Sequence, residues 1–232
     1  MVRVELAIAA LVVVFGLAGC ALTGERSPTQ GPGGLRYVAL GDSYTIGTSV
    51  RAAERFPDQL VAALGVNAPT LQLVANLGVN GYTSADLVRE ELPALPDLDP
   101  EFVTVLIGVN DVVQGVPIET YEATVVMILD TLLDRLPADR LIAIAVPDYT
   151  ATPAGADYGN PTQQHDAIVA VNAVMERLAA ARGIAYVDTF DLSLRAAADR
   201  SLVADDGLHP SGKQYALWVE RIRPVVEQLL GR

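Results

Sequence analysis

The sequence predicts an α/β fold, a three-layer αβα sandwich on a five-stranded parallel sheet, and two observations predict it. Five short apolar runs bounded by turn residues recur at 35–40, 71–75, 102–107, 141–146 and 184–187, the pattern of strands buried on both faces. Amphipathic segments long enough for right-handed crossovers lie between them, and no hairpin signal interrupts the alternation. A closed barrel would want about eight such units, so the open sandwich is preferred.

Each run leads into something specific. The first, with Tyr37-Val38-Ala39-Leu40, passes directly into GDSYTIG at 41–47; the second passes into NLGVNG at 76–81, and the third ends in IGVND at 107–111. Open sheets bind ligands beyond the carboxyl ends of their strands, so the topology gathers these three blocks. A helix is predicted over 117–136. Pro117 sits at its first turn, Glu119 and Glu122 near its positive end, and Ile118, Tyr121, Val125, Leu129, Leu132 and Leu136 on one face. A second spans 165–182 with Ile168, Val171, Met175 and Leu178 inward, after a long connection at 147–164. The last starts near Ser211, runs through Trp218 and Ile222 to Leu230, and is expected to bend at Pro224.

Residues 1–19 carry Arg3 followed by an apolar stretch over 6–18 and then small residues, the layout of a secretory signal peptide. The stretch is shorter than the about 20 residues of a membrane-spanning helix. Its end, Leu17-Ala18-Gly19-Cys20, resembles the lipobox of bacterial lipoproteins, which implies an exported chain anchored to a membrane by a lipid on Cys20, its only cysteine. Residues 20–34 then form a lipidated, Gly- and Pro-rich tether, and 35–232 a single domain. The net charge of −12 argues against nucleic-acid binding and against electrostatic adhesion to anionic lipid.

Ser43, on the turn leaving the first strand, is the candidate nucleophile. A serine hydroxyl needs a base and donors for the oxyanion. One of the two histidines, His209, lies in DDGLHP at 205–210 with Asp206 three residues before it, a spacing that lets the carboxylate fix the ring tautomer, and with Asp205 beside it as the alternative. The four blocks resemble those of the SGNH (GDSL-type) hydrolases, with GDSY here where many members have GDSL. The resemblance implies the flavodoxin-like fold of that family, an ester hydrolase with Ser43, Asp206 and His209 as catalytic residues, and an oxyanion hole from the backbone N–H groups of Ser43 and Gly78 and the side-chain amide of Asn110. Asp42 and Asn80 are expected to support these loops.

The remaining candidates read more plainly. His165 opens a helix with no acid at the family spacing, Ser84 belongs to a helix cap, two distant histidines make a metal site improbable, and no GxGxxG supports a dinucleotide. No cofactor is expected. The 147–164 connection is read as a substrate flap, with Tyr149 and Tyr158, together with Tyr44 and Val109, lining the substrate site. The expected substrates are small-molecule or lipid esters, either short-chain acyl esters or lysophospholipids. The alternatives are acetyl groups on envelope or extracellular polysaccharide, or a binding role with idle catalytic apparatus.

Overall fold

The computed structural model describes residues 34–65 and 70–231; the leader, Cys20 and all of the tether but Gly34 lie outside them. Five strands, β1 (Leu35–Gly41), β2 (Leu71–Asn76), β3 (Phe102–Leu106), β4 (Leu141–Ile144) and β5 (Ala185–Val187), form one sheet in the order β2-β1-β3-β4-β5. Every pairing is parallel, as predicted. The longer helices are α1 (Phe56–Leu64), α2 (Ile118–Leu133), α3 (Pro161–Ala180) and α4 (Gly212–Leu229). α1 packs on α4 and α2 on α3. Right-handed crossovers that step outward in both directions from β1 require this division, with one helix pair on each face.

β1 and β3 are buried along almost their whole length, and the Tyr37 hydroxyl shares a hydrogen bond with Thr104 Oγ1 at 2.8 Å across the pair. The β1–β2 register shifts between Tyr37 and Val38. Beyond that irregularity the chain keeps following β1, with Leu77 N–H donating to Ala39 O and Val79 N–H to Gly41 O. The 76–81 block is thereby laid against the end of the central strand.

Among the boundaries that differ from expectation, two have clear local reasons. β4 stops at Ile144 rather than 146 because Asn172, inside α3, takes over both backbone groups of Val146: Val146 N–H donates to Asn172 Oδ1, and Asn172 Nδ2 to Val146 O. α3 begins at Pro161 rather than 165, since Asn160 Oδ1 caps the N–H groups of Thr162 and Gln163 and Pro161 fills the first helical position. Much of the 147–164 connection is therefore ordered as short 3₁₀ turns, Tyr149–Ala151 and Gly155–Tyr158, and the first turn of α3. Pro224 lies inside α4.

Phe56 of α1 meets Tyr215 and Trp218 of α4 with ring centroids 6.4 and 6.2 Å apart, and the latter two rings stand edge-on at 5.1 Å. All three are fully buried. Trp218→Ala is expected to cost about 3–5 kcal/mol in urea unfolding, whereas Met127→Ala, at a side chain 54% exposed, should change stability by less than about 0.5 kcal/mol.

Candidate active site

Ser43 opens a single helical turn, Ser43–Ile46, at the carboxyl end of β1. Asp42 caps it, accepting a hydrogen bond from Tyr44 N–H at 2.9 Å. As the first residue of the turn, Ser43 has an N–H with no intrahelical acceptor. The strand leaves the sheet sharply at Gly41, whose φ is +148° and where a Cβ would lie 2.2 Å from Leu106 O. No other residue fits there.

The final block brings its histidine to the same edge. His209 Nδ1 lies 2.6 Å from Asp206 Oδ2, so Asp206, rather than Asp205, meets the ring. Asp206 Oδ1 accepts the backbone N–H groups of Leu208 and His209, and Oδ2 also accepts the Ser49 hydroxyl at 2.7 Å. Partial burial works to raise the Asp206 pKa, but these hydrogen bonds, led by that of Ser49, hold it well below the usual carboxylate range. The Tyr44 ring packs beside the imidazole at 5.2 Å between centroids, and Tyr44 O accepts the buried Tyr215 hydroxyl. Tyr44 thus braces the histidine as well as lining the site.

Ser43, Asn110 and His209 share the wall of one cavity of about 230 Å³, lined also by Tyr44, Val109, Tyr149 and Tyr158. Among the described residues no hydrogen bond joins Ser43 Oγ to His209. Asn110 Nδ2 donates to Tyr82 O at 2.9 Å and only at 3.5 Å to Asp42 Oδ2, which leaves its second amide hydrogen weakly held. Gly78 abuts the serine turn, where a Cβ would lie 2.7 Å from both Asp42 O and Ile46 N. Its N–H, however, donates to Asn76 Oδ1, and the neighbours that reach the cavity from this block are Asn80 and Gly81.

The cavity roof is pinned at several points. The Tyr149 ring stands edge-on to Tyr158 at 5.8 Å and its hydroxyl donates to Gln164, while Ala154 N–H donates to Gly207 O beside the histidine block. His165 pairs through Nδ1 with the buried Asp148, which makes it an anchor at the base of the roof. Ser84 opens the helical turn that Thr83 caps and also donates from N and Oγ to the Asp111 carboxylate, which ties this turn to the 107–111 block. Sequence reading passed over Val113 and Leu208, which line the cavity, and Ser49. The first two are ordinary apolar residues with no local signature.

Buried acids underlie the serine turn. Glu91, at the end of a π-helical turn, accepts Gly41 N–H on Oε2 at 2.9 Å while Oε1 has no partner among the described residues. Burial, opposed by that hydrogen bond and reinforced by the nearby Asp42 charge, pushes its pKa up to about 9. Burial likewise raises Asp42 to about 7, against the Tyr44 N–H bond. Among the described residues no cluster of three or more His, Cys, Asp or Glu could hold a metal ion.

A doubly wound sheet with a serine turn, an aspartate-bound histidine and an amide on one cavity defines a class of hydrolase site. The chain belongs to the GDSL-like lipase/acylhydrolase family, whose model matches residues 39–217, and it is an SGNH-type ester hydrolase. No curated protein matches it. Solved structures it resembles include a G-D-S-L lipolytic protein from Veillonella parvula (17% identity, 82% of this chain and 97% of that one, TM-score 0.67). Others are a catalytic mutant of an acetylxylan esterase from Geobacillus stearothermophilus (17%, 88% and 97%, 0.66) and a psychrotrophic esterase from Pseudoalteromonas sp. inhibited by monoethylphosphonate (16%, 85% and 100%, 0.64). At these identities the likeness is one of fold.

Because the native Glu91 binds its proton far above its ordinary 4.5, its contribution to stability is complete below that pH and falls as pH rises toward about 9. Glu91→Gln keeps an acceptor for Gly41 N–H and removes the titration. Urea unfolding across this range should show a shallower decline than in the parent, with the variant the more stable of the two at the alkaline end.

Proposed function

We propose that the protein is a serine esterase for short-chain carboxylic esters, with Ser43 as nucleophile, His209 as general base and acid, and Asp206 as the group that fixes the histidine. The observation that carries this is the single cavity shared by Ser43, His209 and Asn110, with Asp206 bound to the far side of the imidazole. A carboxylate on Nδ1 keeps the proton there and leaves Nε2 free to accept. Ser43 Oγ attacks the ester carbonyl as its proton passes to Nε2, in a hydrogen bond that closes when substrate binds. His209 then protonates the leaving alcohol, and water repeats the cycle on the acyl-enzyme. The oxyanion would be met by Ser43 N–H, Asn110 Nδ2 and, once it turns from Asn76, Gly78 N–H.

Acyl size follows from the walls. Val109, Val113 and Leu208 with the Tyr149–Tyr158 roof line a small, mainly apolar and partly open space, whose size favours acetyl and butyryl groups over long chains. We further propose that the leader exports the chain and that Cys20 carries the lipid that holds this site near a membrane.

Ser43→Ala should lower kcat on p-nitrophenyl acetate by about 10⁶-fold, the scale of losing a serine that acts with its base; an unchanged rate refutes the nucleophile. Asn110→Ala should lose about 10²–10³-fold in kcat with little change in KM. Across acetyl, butyryl, octanoyl and lauroyl esters, lysophospholipid and acetylated glycan, kcat/KM should be highest for the two short simple esters. Preference for lysophospholipid would overturn the acyl-size reading, and preference for the glycan would make the protein a polysaccharide deacetylase.

A further inference from the structure

The segment after the serine turn ties the other blocks together, and no family block contains it. Gly47 and Ser49 both take left-handed backbone, with φ of +70° and +66°. For Gly47 this is ordinary; for serine it is disfavoured. Between them Thr48 N–H donates to Ser43 O, and Thr48 Oγ1 donates to Asn80 Oδ1. The left-handed turn at 49 carries the Ser49 hydroxyl to the Asp206 oxygen that faces His209. A serine stands where glycine would be easier, and its hydroxyl is engaged by the acid of the His–Asp pair.

We propose that Ser49 is a positioning residue for ester hydrolysis, fixing Asp206 Oδ2 against His209 and sharing its negative charge with the imidazole. The inference rests on the reading of Ser43, His209 and Asp206 above. Oδ1 is already held by two backbone N–H groups, so among the described residues Ser49 supplies the one donor that competes with the ring for Oδ2. Taking that donor away leaves the carboxylate more basic toward Nδ1–H. The imidazolium is then stabilised, and the ring pKa rises.

The other groups around the pair are the phenols of Tyr44, Tyr149 and Tyr158 on the cavity wall, Tyr215 behind Tyr44, Arg55, whose charge acts on Tyr215, Asp205 beside Asp206, and Asp42 beneath the serine. All are common to parent and variants, so a difference between them isolates the hydroxyl. Ser49 is exposed, which keeps the expected effect modest and makes substitution safe for folding.

The test compares the full chain with Ser49→Gly, which relieves the backbone, and Ser49→Ala, which does not. Both lose the hydroxyl. NMR titration reads the His209 ring directly, with or without turnover, and His165→Gln assigns the two histidines. Both variants should raise the ring pKa by about half a unit, as fits one partly solvated hydrogen bond to a carboxylate. The acid limb of kcat/KM should move up equally and kcat should fall with KM unchanged, while the glycine variant unfolds at a temperature no lower than the parent. An unchanged or lowered ring pKa in the glycine variant overturns the proposal. A raised ring pKa without a matching shift of the acid limb refutes His209 as the base, and with it the reading on which the proposal rests.

Discussion

The close approach of backbone to backbone at the carboxyl end of β1 is the constraint on which the site depends. Leu106 O occupies the space a side chain at position 41 would need, and Asp42 O and Ile46 N do the same to position 78. With no room to relax, the chain must turn at Gly41, and Ser43 is held at one angle to the sheet edge. β1 lies between β2 and β3, and the strand order steps outward from it in both directions, so the loops after β1, β2 and β3 open onto one crevice.

Two kinds of carboxyl serve that crevice, separated by environment. Glu91 and Asp42 lie under the serine turn, where burial favours the neutral acid and where Glu91 caps the end of β1. Asp206 sits at the rim, gathers four donors and stays ionised. An excess of acid over base in the whole chain therefore says little about charge at the site; the hydrogen bonds around each group decide it. The rim carboxylate is the one in contact with the imidazole, as a base-orienting role requires.

Most of the scaffold was legible because it is written in local patterns. Apolar runs marked the strands, and Asn160-Pro161 was a readable helix start whose signal lay inside a stretch taken for loop. The early end of β4 was not legible, because Asn172 reaches it from a helix 26 residues away. The Asp206–His209 contact followed from spacing within one turn, whereas Ser49 lies 157 residues from Asp206 and has no local signature beyond following Gly-Thr. Tyr149 and Tyr158, singled out in the sequence, do line the cavity, but the anchoring of that roof by His165 and Asp148 depends on a partnership between a helix and the turn before it. Residues whose partners are distant are the ones that pattern cannot assign.

The proposed chemistry requires that the hydroxyl of Ser43, and no other, is activated by His209. Reaction with a fluorophosphonate followed by peptide mapping in a mass spectrometer tests it most directly. One phosphonyl group on the peptide containing Ser43, formed at a rate that falls sharply in His209→Ala, is the predicted result; labelling at another residue, or no labelling of the folded protein, would contradict it.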